Sequence, residues 1–185
     1  MGMADLARKW TRDMVLALPD DGNRYELFDG DLLATPAPAG LHQVAIAALI
    51  RRLLPFVNTE NLGWLMTSPA DLSLGGEDVS QPDLFVVSQL PPDREWSRFP
   101  NPILVVEILS PSTASFDRFV KRRRFQRAGI PEYWIVDLDT RAIERWRPED
   151  ERAELLNERL VWHPAGATDA LELDLPVYFS EVWGK

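Results

Sequence analysis

The chain has 185 residues, of which 45% are hydrophobic and 10% aromatic, a composition typical of one globular domain (residues 1–185) and not of extended disorder. It contains no cysteine and two histidines, which excludes disulfides and cysteine-ligated zinc and argues against a histidine-built metal centre. The net charge of −9 on average repels nucleic acid. The charged N-terminus and the lack of a later run predicted to span a bilayer favour a soluble cytoplasmic protein.

The first predicted elements are a hairpin, a helix and two strands. In RYELFDGDLLATP, Asp29-Gly30 supplies the positive-φ residues of a tight turn between two apolar-patterned arms. The next segment, LHQVAIAALIRRLLPFVN, places apolar residues at helical spacing. A strand is predicted from Trp64 to Leu74, with a loop at Gly75-Gly76, and a second strand in PDLFVVS from Pro82.

The second half of the chain is predicted to alternate strands with a helix. After the Pro-rich loop PPDREWSRFPNP comes the strand ILVVEILS, and SPST then supplies hydroxyls to cap a helix that ends at Gly129. EYWIVDLDTRAIERWRP predicts a strand, a turn and a strand, and the tail predicts short strands and a terminal amphipathic turn. Helices interleaved with strands in this way indicate an α/β fold whose central sheet is covered on both faces.

One charged residue stands inside an apolar strand. Glu107 lies between Val106 and Ile108 in the run LVVEILSPST, and an isolated ionised carboxylate in a dry interior costs several kcal/mol or takes up a proton. Asp83 is a second acid at the start of a predicted strand. Two such acids call for a common counter-charge, which a divalent cation would supply.

A lysine on the following helix supplies the third element of this group. On a helical projection Lys121 shares a side with Phe125 and Ala128, whereas Arg123 and Arg127 point elsewhere. The connection through SPST returns this helix over Glu107. Asp, Glu and Lys are therefore expected to converge at one end of the sheet.

These segments resemble a known family. QPDLFVV, LVVEILSPST, a Lys fourteen residues after the Glu, AGIPEYWIVD and the N-terminal RYELFDGDLLATPAPAGLHQ are together similar to the Uma-two family of "putative restriction endonucleases", a branch of the PD-(D/E)XK nuclease superfamily. The resemblance implies a restriction-endonuclease-like fold with a central mixed sheet, flanking helices and additional antiparallel hairpins. It also implies Mg²⁺, or Mn²⁺ in its place, bound by Asp83, Glu107 and the carbonyl group of Ile108.

The same resemblance assigns further site residues and shows two departures from the family pattern. Lys121 takes the role of the superfamily lysine, because the position two residues after Glu107 is Leu109. Phe125 stands where similar chains have Tyr, so any role of that hydroxyl is lost. The N-terminal signature adds Glu26 as an extra acid and His42 as a contact for substrate or water.

Hard oxygen ligands suit Mg²⁺, which needs few protein carboxylates and polarises a phosphodiester, while a lysine positions the attacking water or neutralises developing charge. The first functional hypothesis is therefore a metal-dependent endonuclease that hydrolyses DNA and acts as a homodimer, with no membrane partner. The second is a nuclease-fold protein that binds nucleic acid or a protein partner without cutting. The third is a structural ion cluster in which Lys121 pairs with Glu107.

Each residue also has an ordinary structural interpretation. Asp83 after Pro82 is typical of a turn or strand start, His42 of a helix start and Glu26 of an exposed hairpin position, while Glu107 could pair with an arginine of the helix. The basic run from Asp117 to Ala128 carries +5 and predicts either a face paired with local acids or a phosphate contact. The sequence shows no separate DNA-reading domain, so specificity would come from loops such as residues 89–101.

Overall fold

The computed structural model describes residues 9–35, 40–95 and 98–184. The charged N-terminal start, Pro36 of the predicted hairpin, and Trp96 and Ser97 of the predicted Pro-rich loop lie outside these residues. In chain order the elements are α1 (Arg12–Leu16), β1 (Arg24–Phe28), β2 (Asp31–Thr35), α2 (Gly40–Thr59), β3 (Trp64–Thr67), β4 (Leu84–Val87), β5 (Leu104–Ile108), α3 (Ala114–Phe116), a π-helical segment (Asp117–Lys121), α4 (Arg122–Arg127), β6 (Tyr133–Asp137), β7 (Ala142–Trp146), β8 (Glu154–Leu156), β9 (Arg159–Trp162), β10 (Leu171–Asp174) and α5 (Leu175–Trp183).

Six strands form the central sheet in the order β3-β4-β5-β6-β7-β8. β5 and β6 are parallel, and the other neighbouring pairs are antiparallel. The crossover between the parallel pair is the helical stretch formed by α3, the π segment and α4, as parallel neighbours require. Two separate hairpins, β1-β2 and β9-β10, complete the architecture, so the predicted α/β fold with a central mixed sheet, flanking helices and hairpins is confirmed.

The turn of the first hairpin has the backbone conformation that its sequence predicts. Asp29 has φ of 52° and Gly30 has φ of 89°, and both lie between the paired residues Phe28 and Asp31. Left-handed conformations of this kind favour Asn, Asp and Gly. The turn fixes the register that brings the inward side of β1 against the rest of the molecule.

Strand β5 is buried on both faces, as its aliphatic sequence predicts. Leu104, Val106 and Ile108 belong to the core on the α2 side, whereas Val105 belongs to a second core with Phe125 of α4. Because successive side chains alternate across a strand, Glu107 points to the same side as Val105. The carboxylate therefore faces the crossover helix.

Helix α2 covers the other face of the sheet. Its buried residues include Ala45, Leu49 and Leu53, and α5 braces it through ion pairs of Glu181 with Arg51 and Arg52. By length and composition α2 could also cross a membrane, with 20 residues and a mean hydropathy of 1.3, so the expectation that no run could do so is too strong. The core helix of a globular fold passes the same test.

Three local predictions differ from the structure. The predicted strand from Trp64 to Leu74 ends at Thr67, after which a cis Ser68-Pro69 bond leads into a loop. The terminal amphipathic turn is the nine-residue helix α5. Thr113 precedes α3 without a side-chain capping bond, because its hydroxyl bonds Ser110 instead.

Candidate functional site

Lys121 is fully buried against the sheet, on the side of the helix that the projection predicts. Its Nζ donates a hydrogen bond of 2.8 Å to Glu107 Oε1 and lies 2.9 Å from Glu26 Oε2 and 3.4 Å from Asp117 Oδ1. Asp117 and Lys121 are the two ends of the π segment, and their spacing of four residues places both side chains on the buried side. The lysine thus stands among three carboxyl groups.

Asp83 and Glu107 meet where β4 and β5 stop pairing. The antiparallel register ends at Leu84 and Val106, so the next residues, Asp83 and Glu107, face each other. Here side chains replace the backbone ladder: the amide of Ile108 donates to Asp83 Oδ2 at 2.8 Å, and the amide of Asp83 donates to Glu107 Oε2 at 3.4 Å. These bonds hold the two carboxylates and the backbone of Ile108 in one place.

Asp83 also binds two basic side chains from the N-terminal part of the chain. Arg24 donates to Oδ1 at 2.7 Å, and His42 Nε2 lies 3.0 Å from Oδ2. Although burial acts to raise the pKa of Asp83, His42 and Arg24 outweigh it and hold that pKa below its usual value. Because an ionised carboxylate only accepts hydrogen bonds, the hydrogen lies on Nε2 of His42.

Glu26 occupies the interior and not an exposed hairpin position. Its side chain is fully buried, and Oε1 accepts hydrogen bonds from the Ser80 hydroxyl at 3.1 Å and the Gln81 amide at 2.8 Å. Oε2 is close enough to Lys121 for an ion pair, but it is not aligned for a hydrogen bond. The structure therefore brings together Glu26, Asp83, Glu107 and Lys121, with His42 attached through Asp83.

Sequence reasoning missed two members of this cluster. Arg24 lies two residues before Glu26 on the inward face of β1, and Asp117 lies four residues before Lys121. Both spacings are visible in the sequence. Arg24 was missed because a strand-end arginine is commonly solvated. Asp117 was missed because it was counted only as the one acid of the basic run, although a spacing of four residues places it on the side of Lys121.

The cluster holds more negative than positive charge. Four buried carboxyl groups (Glu26, Asp83, Glu107 and Asp117) face the two permanent cations Arg24 and Lys121, so with His42 neutral and all acids ionised the net charge is 2 − 4 = −2. Burial raises the pKa of Glu107 well above its usual value; Lys121 opposes this rise and Asp83 adds to it. Burial likewise raises the pKa of Asp117 against the effect of Lys121.

Two cavities open beside this cluster. The first, of about 440 Å³, is lined by Asp83 and by residues of β1, α2 and the loop after β3. The second, of about 490 Å³, is lined by His42, by the SPST loop and by residues after β6. Arg24 and Thr35 line both, so the cavities meet at the Arg24 side of Asp83.

The donor set suits a hard divalent cation in charge and chemistry. Mg²⁺ takes oxygen ligands, keeps several waters and binds through few carboxylates. Its charge would equal the −2 that the cluster carries when Glu107 and Asp117, whose pKa values burial raises, have both lost their protons. Within the described ranges no group of three or more Asp, Glu, His or Cys side chains is arranged to hold a metal. A site on Asp83 and Glu107 would thus depend on the Ile108 carbonyl group and on water for its remaining ligands.

The basic run of the crossover helix is largely paired within the protein. Arg118 binds Asp137 at 3.0 Å and Glu144 at 2.6 Å, Arg124 binds Asp78, and Arg122 lies over the ring of Trp146 at 4.5 Å. Arg123 and Arg127 are exposed. Of the two interpretations of this run, the structure favours a face paired with local acids.

Comparison with known proteins gives one family and one structural likeness of note. The model of the Uma2 family, described as "putative restriction endonuclease", matches residues 12–179. A crystal structure of a "putative nuclease belonging to DUF820" from Anabaena variabilis superimposes with a TM-score of 0.79 and 22% sequence identity, covering 94% of this chain and 99% of that chain. No curated protein matches. The family match extends over most of the chain, which therefore belongs to the Uma2 family.

Proposed function

We propose that this protein is a cytoplasmic, metal-dependent endonuclease that hydrolyses phosphodiester bonds of DNA. The observation that carries the proposal is the convergence of Asp83, Glu107 and Lys121 at one end of the sheet, with Asp83 lining an open cavity. The Uma2 family description and the nuclease name of the structural relative support the same reaction class.

Asp83, Glu107 and the Ile108 carbonyl group would hold Mg²⁺, or Mn²⁺ in its place. When bound, the ion would polarise a phosphodiester oxygen and lower the pKa of a bound water. Asp83 remains ionised because Arg24 and His42 lower its pKa against the effect of burial. The hydrogen bond from the Ile108 amide fixes the direction of its carboxylate.

Lys121 acts in this proposal through Glu107. Its ammonium group is fully buried among three carboxylates, so it holds Glu107 in position and balances part of the cluster's charge. Arg24 is the cation nearest to both cavities, with a side chain 18% exposed. It is therefore the better placed of the two to neutralise charge that develops on a phosphate.

The experiment is cleavage of supercoiled and linear DNA by the purified protein in Mg²⁺ or Mn²⁺. We expect nicking or cutting that is lost in Asp83→Ala and Glu107→Ala and retained in the surface control Arg123→Ala. Intact DNA across several substrates and both metals, from a folded protein, would contradict the proposal. Size-exclusion chromatography with light scattering tests the further proposal that the enzyme acts as a homodimer.

A second candidate is a nuclease-fold protein that binds nucleic acid or a protein partner without cutting. It is favoured by the internal pairing of the site, because Lys121 already occupies one oxygen of Glu107 and Arg24 one oxygen of Asp83. Titration calorimetry separates the two functions. Absence of heat with Mg²⁺ and Mn²⁺ at millimolar concentration would favour the candidate without hydrolysis.

A further inference from the structure

Two buried polar atoms on residues that line the cavities have no hydrogen-bond partner in the described part of the chain. They are Thr35 Oγ1 and His42 Nδ1, on residues whose exposed fractions are 6% and 7%. Buried polar groups in native proteins are almost always satisfied. Because both residues line a cavity, a bound molecule or water can supply the missing partner.

Arg24 lines both cavities and has hydrogen-bond donors that no described contact uses. Its hydrogen bonds to Asp83 Oδ1 and to the carbonyl group of Gln81 both use Nη1. Among the described contacts, none uses Nε or Nη2. Guanidinium donors and a hydroxyl group at one point form a suitable cradle for a phosphate oxygen.

The two cavities that meet there differ in chemistry. The first combines an apolar wall of Ile46, Ile50 and Pro69 with the side-chain amides of Asn23, Gln43 and Gln81. Apolar walls with a few hydrogen-bonding groups are typical of sites for flat organic groups such as a base. The Gln81 amide is oriented by its bond to Asp71 at 2.7 Å, which leaves its carbonyl oxygen as an acceptor.

The second cavity is richer in hydroxyl groups. Ser110, Ser112 and Thr113 line it and bond one another at 2.9–3.0 Å. Its charged residues balance, since Arg24 and Arg118 are offset by Asp137 and Asp139. It therefore suits a polar, largely uncharged group such as a sugar with its base better than a run of phosphates.

The surface outside the cavities offers little to a duplex. Recognition of double-stranded DNA depends on many phosphate contacts along the helix. Most arginines of the basic run, however, bind local acids or an aromatic ring. The chain as a whole carries a net charge of −9. Each cavity has a volume near the lower end of ligand pockets, which range over roughly 300–1,000 Å³. These dimensions fit one nucleotide at a time.

We propose that the substrate enters as a single, unpaired polynucleotide strand, with one nucleotide in each cavity and the intervening phosphate on Arg24 and Thr35. This inference rests on the proposed nuclease function and narrows its substrate class. The phosphate then lies beside Asp83, and His42 Nδ1 accepts a hydrogen bond from the nucleotide in the second cavity or from water bound with it. Duplex DNA is a substrate only where it is locally unpaired.

The test is fluorescence anisotropy with labelled 20-mers as single strand, as full duplex and as duplex with an unpaired bulge, in EDTA and in Mg²⁺. We expect the single strand and the bulge to bind at least tenfold more tightly than the full duplex. With one phosphate neutralised by Arg24, the slope of log K against log salt should be about −0.7. Equal binding of RNA of the same sequence also supports the inference, because the two cavities would then accept either sugar.

Two exposed cavity positions provide variants with matched controls. Ala47→Phe narrows the first cavity and Ser112→Trp the second, whereas Val44→Phe and Ser115→Trp place the same new side chains on exposed positions outside the cavity walls. We expect at least tenfold weaker single-strand binding in each cavity variant and less than a twofold change in each control.

Three outcomes would overturn the inference: full duplex binding as tightly as the single strand, equal effects of a cavity variant and its control, or a salt slope of −5 or steeper. The inference and the hydrolysis proposal can fail separately. Cleavage of full duplex without single-strand preference upholds a nuclease and removes the inference. The expected binding pattern without cleavage in any metal retains the inference and removes hydrolysis.

Discussion

Replacing Lys121 with Met removes a buried cation and leaves its carboxylates in place. The methionine side chain has a similar length, so packing changes little, but the cluster's net charge goes from −2 to −3 with all acids ionised. The lost contacts are the ion pairs at 2.8 Å, 2.9 Å and 3.4 Å, within a site where Lys121 is 0% exposed. Removing one partner of a buried ion pair costs about 3–5 kcal/mol of folding free energy.

For a chain of this size, each kcal/mol shifts the melting temperature by about 2–4 °C, so Lys121→Met should melt roughly 6–20 °C lower. Urea unfolding followed by tryptophan fluorescence gives the free energy directly, through a lower midpoint at an unchanged slope. The control is Arg123→Met on the exposed side of the same helix, for which we expect a change within about 0.5 kcal/mol.

A double variant tests whether the uncompensated charge is the cause. Glu107→Leu combined with Lys121→Met removes a carboxylate along with its cation. The double variant should therefore lose less free energy of unfolding than the two single variants lose in sum, by about 0.5–3 kcal/mol. Strict additivity, or a Lys121→Met protein within about 1 kcal/mol of the parent, would refute the view that this lysine holds the cluster together.

Three further predictions concern packing, metal and acid. Phe125→Ala should cost about 3–5 kcal/mol in urea unfolding, because the ring is fully buried and contacts Tyr133 edge-on; a loss below about 1 kcal/mol would contradict that packing. Mg²⁺ at 100 times its dissociation constant should stabilise the protein by about 2.7 kcal/mol in thermal unfolding, and equal stabilisation of Asp83→Asn would rule out the proposed ligands. Burial acts to raise the pKa of Asp137, but the Thr140 amide and Arg118 outweigh it and lower that pKa. The resulting stability is therefore complete above the unfolded pKa of about 3.9 and is lost as the pH falls through the lower native pKa. Asp137→Asn should then lose less stability than the parent between pH 6 and pH 2.5. An equal fall in the urea midpoint of the two proteins over this range would contradict the prediction.

The parts of the fold that the sequence predicts are those set by local chemistry. Asp29-Gly30 specifies a turn, the apolar spacing in α2 specifies a helix, and the position of Lys121 relative to Phe125 identifies the inward side of the crossover helix. In each case the deciding residues are near neighbours. The resemblance to a nuclease family, drawn from four segments and the position of one lysine, is confirmed by the family match over residues 12–179.

What the sequence did not predict depends on contacts between distant segments. Arg24 reaches Asp83 across 59 positions, and the burial of Glu26 depends on docking of the hairpin against Ser80 and Gln81. The π conformation of residues 117–121 has no local signal either, because ordinary helix propensity describes these residues equally well. The roles of the site residues and the metal remain predictions.

The pairing of Glu26 with Lys121 sets an order of events during synthesis of the chain. Glu26 leaves the ribosome 95 positions before the cation that its buried carboxylate lies beside, which at about 5–20 residues per second is an interval of roughly 5–19 s. Until Lys121 has been synthesised, burial of Glu26 would leave an unpaired carboxylate in the interior. We therefore expect the N-terminal hairpin to remain undocked at least until Lys121 has been synthesised, when β3, β4 and β5 are already present but β6 is not.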